Sequence, residues 1–323
     1  MVLSFKFRGS MAPVFTPFTQ SLEINFDIIE PYAKFLHDAG VKGILVGGTT
    51  GEGVSMTLVE RKTVAEVWLN TCKRLGQTVM VQVGGASLVE VVALAKHAEE
   101  MKADAILCLP ELFFRPKTIT DLIQYLYYVS KGAPNTPLLY YHIPSFTGVN
   151  LDMAQFLEKG RDTIPTLAGI KFTDTDLEEG ARCIKEAGND MVVFLGADQL
   201  ISAASVLGFD SLIATTLNLW PYMHDQILNN AKLDRFREMS EMQYRLSEWV
   251  QIITKQGSWV PAMKMAMKVI TGLDMGPVRP PLISLESNQV QEMINELETV
   301  CKKACNLCVY QESKYLRPPR SRI

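Results

Sequence analysis

Residues 43–83 read GILVGGTTGEGVSMTLVERKTVAEVWLNTCKRLGQTVMVQV. Gly43–Val46 and Val79–Val83 are continuous apolar runs, the pattern of strands buried on both faces. Between them, Leu58–Leu75 carries the 3.6-residue period of an amphipathic helix. Thr57, with Glu60 three residues on, forms a capping box that starts it. The stretch is a strand–helix–strand unit, and repetition of that unit implies a parallel sheet.

The unit recurs in both directions. Strands are predicted at Met11–Phe15, Gly43–Val46, Val79–Val83, Ala105–Leu109, Leu138–Tyr141, Leu167–Phe172, Val192–Leu195 and Ser211–Ala214. Helices are predicted at Phe26–Ala39, Leu58–Leu75, Leu88–Met101 and Thr118–Lys131, with Gly40 closing the first. A doubly wound sheet usually carries a Gly-x-Gly-x-x-Gly turn after its first strand, and none is present there. Eight units over roughly 225 residues suit a (β/α)8 barrel, whose usual size is about 250. The fold class is therefore α/β, a TIM barrel with a C-terminal helical extension.

Beyond Asn218 the strand signals stop. Tyr222–Thr254, Val260–Thr271 and Ser287–Cys308 read as helices, with the three prolines of Met275–Leu282 forming a rigid connector. This divides the chain into a barrel core (1–225), the last barrel helix with the extension of the same domain (226–310), and a polar, basic, disordered tail (311–323).

The 323 residues are 47% hydrophobic, with 32 Lys+Arg against 35 Asp+Glu and a net charge of -3. That balance gives no electrostatic reason to expect nucleic acid or an anionic membrane as partner. No apolar run reaches bilayer length. Lys6 and Arg8 interrupt the N-terminal stretch where a secretory signal needs its apolar region. Six cysteines are too sparse for a disulfide scaffold. The expectation is a cytoplasmic metabolic enzyme. Cys301, Cys305 and Cys308 lie at helical spacing and read as a partly buried face. The four histidines are scattered, with no spacing for a metal site.

Barrel chemistry sits at the C-terminal strand ends. The second strand ends in Gly47-Gly48-Thr49-Thr50-Gly51-Glu52, a turn whose N–H groups and hydroxyls suit a small anion such as a carboxylate. A tight turn that merely needs glycine is an equal reading. The fifth strand ends in Tyr140-Tyr141-His142-Ile143-Pro144, and alternation points one tyrosine inward, either as a proton relay or as a packed aromatic. The sixth strand is Leu167-Ala168-Gly169-Ile170-Lys171-Phe172. A lysine there is costly to bury charged. Desolvation favours the neutral, nucleophilic amine. Snorkelling, or pairing with Asp174 or Asp176, is the ordinary alternative.

Thr49–Glu52, Tyr140–Pro144 and Gly169–Lys171, in that order and spacing, resemble the pyruvate-dependent class I aldolases. That family contains N-acetylneuraminate lyase and dihydrodipicolinate synthase. The resemblance runs from about Ser10 to about Leu285. Lys171–Leu177, Tyr140–Pro144 and Met275-Gly276-Pro277 are most similar to the animal lyase branch. It implies that Lys171 forms a Schiff base with a 2-keto acid and that Tyr141 shuttles the proton of the substrate hydroxyl. Thr49 and Thr50 would hold the pyruvate carboxylate, and Thr173 would line the site. The implied reaction is cleavage of N-acetylneuraminate to N-acetylmannosamine and pyruvate, with no metal or organic cofactor. The implied assembly is a homotetramer, in which an aromatic near Phe113 and Phe114 reaches a neighbouring site.

Three positions depart from the family pattern. Phe146 follows Pro144-Ser145, where the synthases carry a carboxylate-binding arginine, so a dicarboxylate product is not expected. The seventh strand ends Gly196-Ala197-Asp198-Gln199, with Asp198 matching the polyol-binding pair and Gln199 replacing its glutamate. The eighth ends Ala214-Thr215-Thr216-Leu217-Asn218. Thr215 keeps a hydroxyl, whereas Ala214 and Leu217 reshape the pocket. The predicted substrate-binding set is Thr49, Thr50, Thr173, Gly196, Asp198, Gln199 and Thr215. Gln199 and Ala214–Leu217 keep open an aldolase for another 2-keto-3-deoxy or 4-hydroxy-2-oxo acid. A non-catalytic binding protein on the same fold is a separate alternative, against which intact Lys171 and Tyr141 speak.

Overall fold

The computed structural model describes residue 3 and residues 5–307, with side chains described to residue 300. The sequence-predicted tail at 311–323, Cys308, and the side chains of Cys301 and Cys305 lie outside the described residues. No helix among the described residues is long and apolar enough to cross a membrane.

Eight parallel strands close into a barrel in chain order. They are β1 (Ser10–Pro13), β2 (Gly43–Val46), β3 (Thr78–Gln82), β4 (Ala105–Cys108), β5 (Leu138–His142), β6 (Leu167–Phe172), β7 (Val192–Leu195) and β8 (Ser211–Ile213). The outer helices are α1 (Ile29–Asp38), α2 (Leu58–Leu75), α3 (Leu88–Glu100), α4 (Ile119–Gly132), α5 (Pro144–Thr147), α6 (Met153–Thr163), α7 (Leu177–Ala187), α8 (Ile201–Val206) and α9 (Pro221–Lys232). The extension comprises α10 (Phe236–Thr254), α11 (Trp259–Thr271) and α12 (Ser287–Leu307). The capping box predicted at Thr57 and Glu60 is present, and a second one starts α4 at Thr118 and Asp121.

One predicted element is corrected. Tyr222–Thr254 is not one helix but two, α9 and α10. Asp234 takes the left-handed conformation at φ 55, and the Arg235 N–H turns back to the Asn230 carbonyl. Aspartate tolerates that conformation, so the chain reverses without the glycine or proline that marks a break in sequence.

Inward side chains fill the barrel: Met11, Leu45, Met80, Leu107, Leu139 and Phe194 pack in one cluster. Phe5 and Phe7 stack against each other, and Phe7 stacks on Phe194, closing the lower end. Outward residues such as Ile44, Ile106 and Ile170 join the larger core against the helices. The ladder between β5 and β6 contains one irregularity: Leu138 pairs with Leu167, but Leu139 pairs with Gly169. One residue of β6 is skipped there, so the strand changes face. Ala168 points into the barrel, yet Ile170, two residues on, points out. Gly169 permits the kink, because its φ is +149 and a Cβ would lie 2.0 Å from the Val192 carbonyl oxygen.

The extension is fastened to the barrel by a buried ion pair. Lys264 of α11 lies 2.8 Å from Glu52 Oε1, and both side chains are almost wholly enclosed. The Lys264 ammonium also donates to the Pro277 carbonyl, and Glu52 Oε2 accepts from the Arg279 N–H. Arg279 in turn grips Glu60 and the Leu22 carbonyl, and this ion pair holds the Glu60 carboxyl down at about 2.

Removing one partner of such a pair leaves a buried charge unmatched. Glu52→Ala is expected to cost about 3–5 kcal/mol in urea unfolding. The double variant Glu52→Gln/Lys264→Met is expected to recover most of that loss. Equal losses in the single and double variants would show that packing, not charge, sets the cost.

Candidate active site

A cavity of about 500 Å³ opens at the C-terminal end of the barrel. It is lined by all nine residues singled out from the sequence: Thr49, Thr50, Tyr141, Lys171, Thr173, Gly196, Asp198, Gln199 and Thr215. They come from the ends of five different strands, β2, β5, β6, β7 and β8, as barrel geometry requires.

Lys171 and Tyr141 are direct ladder partners on β6 and β5. Partners in a parallel ladder face the same way, and here both face the cavity. Lys171 is 5% exposed. Its Nζ donates to the Tyr141 hydroxyl at 3.1 Å and lies 4.2 Å from the centre of that ring. Tyr141 Oη is 3.1 Å from Thr49 Oγ1. No carboxylate among the described residues lies within ion-pair distance of Lys171, which removes the predicted alternative of pairing with Asp174 or Asp176. The phenol hydroxyl and the π face of Tyr141 together fix Nζ at the cavity wall. Tyr140 faces the other way, against Phe156 and His142.

The turn after β2 is compact. A Cβ on Gly53 would lie 1.9 Å from the Gly47 carbonyl oxygen, and one on Gly51 would lie 2.8 Å from that of Val14. Thr16 Oγ1 donates to the Gly51 carbonyl at 2.6 Å. Among the described residues, the Thr49 and Thr50 N–H groups have no protein acceptor. Two free N–H donors on a rigid turn can receive an anion.

The opposite wall is arranged differently from expectation. Asp198 is buried, and its Oδ1 accepts from both the N–H and the hydroxyl of Thr216, each at 2.7 Å. Thr216 Oγ1 is also 2.7 Å from His224 Nε2. Gln199 is exposed at the rim. The Thr215 hydroxyl is taken up by Thr50 Oγ1 at 2.9 Å and by the Trp259 indole N–H at 3.2 Å. Thr173 Oγ1 is buried without a partner, and Gly196 must lack a Cβ because one would lie 1.9 Å from that oxygen. Phe146 and Trp259 add aromatic wall. Among the described residues, no three His, Cys, Asp or Glu side chains are placed to hold a metal ion.

The sequence reading missed Trp259 and the partners of Glu52. Trp259 starts a C-terminal helix remote from any strand end, and its residue type carries no signal of the site. Lys264 did carry one: it is a lone lysine amid the apolar positions of Val260–Met267.

Behind β5, His142 is fully buried, and neither ring nitrogen has a hydrogen-bond partner. It stacks on Phe172, and its nearest carboxylate, Asp174, is 3.8 Å away. Burial pushes the imidazole down to about 4, with Asp174 opposing more weakly.

The chain matches the family model of the dihydrodipicolinate synthetase family over residues 6–300. It is 37% identical to human N-acetylneuraminate lyase over 279 residues, 86% of this chain and 87% of the human protein. The mouse lyase is 36% identical over the same shares. The native structure of the N-acetylneuraminate lyase (sialic acid aldolase) from Aliivibrio salmonicida superposes with a TM-score of 0.86. It is 31% identical, and the match covers 91% of this chain and 97% of that one.

The position of His142 has a measurable consequence. A histidine whose pKa is lower in the folded than in the unfolded state stabilises the fold above the unfolded value, near 6.5. That contribution is lost as pH falls from 6.5 towards about 4. Stability in urea should drop over that window by up to about 3 kcal/mol. His142→Phe, which keeps the ring stack, should flatten this part of the profile. An unchanged profile would mean that His142 is not the titrating group.

Proposed function

The chain belongs to the dihydrodipicolinate synthetase family, and on that premise we propose that it is a Schiff-base aldolase cleaving N-acetylneuraminate to N-acetylmannosamine and pyruvate. The observation that carries the proposal is the row Lys171 Nζ–Tyr141 Oη–Thr49 Oγ1, with both separations 3.1 Å, at the mouth of the barrel.

In this reading the neutral Lys171 amine attacks C2 of the open-chain 2-keto acid, and water leaves to give a protonated imine. Tyr141 gives its proton to the departing hydroxide as water is lost, and the resulting phenolate then takes the proton of the C4 hydroxyl. The C3–C4 bond breaks, and its electron pair enters the imine, which acts as the sink. The aldehyde N-acetylmannosamine departs. The enamine is then protonated at C3, and hydrolysis frees pyruvate and Lys171. The Thr49 and Thr50 N–H groups and the Thr50 hydroxyl hold the pyruvate carboxylate. Thr173 lines the imine. Gly196, Asp198, Gln199 and Thr215 face the aldehyde half. The chemistry calls for no metal or organic cofactor.

The curated lyase relatives, at 36–37% identity over most of the chain, support this substrate. The far wall favours a second reading, an aldolase for another 2-keto-3-deoxy or 4-hydroxy-2-oxo acid. There Gln199 is uncharged, and one oxygen of Asp198 is already held by Thr216. Cytoplasmic residence and a homotetramer belong to the same proposal. The exposed rings of Phe113 and Phe114, stacked edge-to-face on the loop after β4, support a contact between subunits there.

Pyruvate release from N-acetylneuraminate should be measurable in the wild type and absent in Lys171→Ala. Borohydride in the presence of pyruvate should add one reduced pyruvate to the wild type by mass, and none to the variant. Tyr141→Phe should retain the adduct and lose about 10²–10⁴-fold in kcat. A folded wild type that traps pyruvate but cleaves a different 2-keto acid better would favour the second reading. One that traps nothing would favour a binding protein.

A further inference from the structure

Among the described residues, Trp259 is the one ring of the C-terminal extension that reaches the cavity with a hydrogen bond, and that bond does not go to the strand that holds Lys171. Its indole N–H donates to Thr215 Oγ1 at 3.2 Å, and Thr215 Oγ1 is 2.9 Å from Thr50 Oγ1. Thr50 and Thr215 are both buried, at 4% and 6% exposure, so bulk water does not compete strongly for these hydroxyls.

An indole N–H can only donate, whereas a threonine hydroxyl has one proton and two acceptor sites. Trp259 therefore fills an acceptor site on Thr215. A hydroxyl that accepts becomes a better donor, so the Thr215 proton goes to Thr50 Oγ1. Thr50 then accepts there, and its own proton is left for the cavity. The Thr49 and Thr50 N–H groups, without a protein acceptor among the described residues, belong to the same turn. Without the indole donor, the Thr215–Thr50 pair can reverse. Thr50 would then spend its proton on Thr215 and present a lone pair to the cavity.

The helix that carries Trp259 is held in place. Five residues along α11, Lys264 pairs with Glu52, two residues beyond Thr50 on the same turn. One helix thus grips the turn directly at Glu52 and through Thr215 at Thr50.

We propose that Trp259 is a positioning residue that sets the direction of the Trp259–Thr215–Thr50 hydrogen-bond row, so that the Thr50 hydroxyl donates to the substrate carboxylate. This rests on the reading of Thr49 and Thr50 as the carboxylate cradle.

The test is a double-mutant cycle between Trp259→Phe, which keeps an aromatic ring but removes the N–H donor, and Thr50→Val, which keeps the side chain's shape but removes its hydroxyl. The readouts are the pyruvate concentration that half-saturates borohydride trapping, and KM and kcat for N-acetylneuraminate. Trp259→Phe alone should raise the half-saturating concentration and KM about fivefold, with kcat changed less than twofold. Thr50→Val should raise them at least as much, and adding Trp259→Phe to it should change nothing further. Trp259→Tyr, whose hydroxyl restores a donor, should recover part of the loss. A Trp259→Phe effect of the same size in the Thr50→Val background would overturn the proposal, because the ring would then act by packing or by touching substrate. No effect of Trp259→Phe would overturn it as well. Should Thr50→Val fail to fold, Thr215→Val takes its place with the same expectation. A wild type that traps no pyruvate would instead overturn the cradle reading, and this inference with it.

Discussion

Where β5 meets β6, the ladder steps from Leu138–Leu167 to Leu139–Gly169, and the one skipped residue decides which way Lys171 faces. Side chains alternate along a strand with a period of two. Ala168 faces the barrel interior. Unbroken alternation would therefore turn Ile170 inward and Lys171 out among the helices. The kink at Gly169 reverses that parity, sending Ile170 to the outer core and Lys171 to the cavity beside Tyr141. It is possible only because Gly169 has no side chain to meet the Val192 carbonyl. Burying the ammonium among the outer helices would leave a charge unpaired at a cost of several kcal/mol.

The second constraint is electrostatic. The turn after β2 owes its shape to glycines on one side and to Glu52 on the other. Glu52 sits in the left-handed region at φ 53, and its carboxylate points away from the cavity into the extension. There it meets Lys264 and the Arg279 N–H, so both oxygens are bonded. A buried pair of this kind adds little net stability over an apolar replacement. Its effect is on geometry, because it sets how the extension sits on the barrel. Trp259, Thr215 and Thr50 follow from that placement. The C-terminal helices are thus part of the site's scaffold as well as a cover for the barrel.

The cavity itself divides into two halves of different character. Towards β2, β5 and β6 it offers an amine, a phenol, hydroxyls and free N–H donors within hydrogen-bond reach of one another. Towards β7 and β8 the polar groups are largely committed: Asp198 to Thr216, Thr216 to His224, and Thr215 to Thr50 and Trp259. The first half suits the part of the substrate where bonds are made and broken. The second presents fewer uncommitted groups, which is where Gln199, Ala214 and Leu217 depart from the family pattern.

Much of this was legible in the residues alone. Eight apolar runs separated by amphipathic stretches, with a capping box at Thr57, specify a parallel sheet because period and capping are local properties of the chain. The strand ends pointed to the Thr49–Thr50 turn, a tyrosine of β5 and Lys171, since barrels concentrate chemistry there. The family resemblance supplied Tyr141 by number with Thr173, Gly196, Asp198, Gln199 and Thr215; all nine line the cavity. Asp234 was not legible, because aspartate breaks a helix only when the chain around it reverses. Nor were the Trp259–Thr215–Thr50 row and the Glu52–Lys264 pair, whose members are separated by 44, 165 and 212 residues. The inward aim of Lys171 belongs with them. Strand periodicity fixes which residues share a face but not where a ladder slips, and only the closed barrel, with Val192 set against Gly169, determines that.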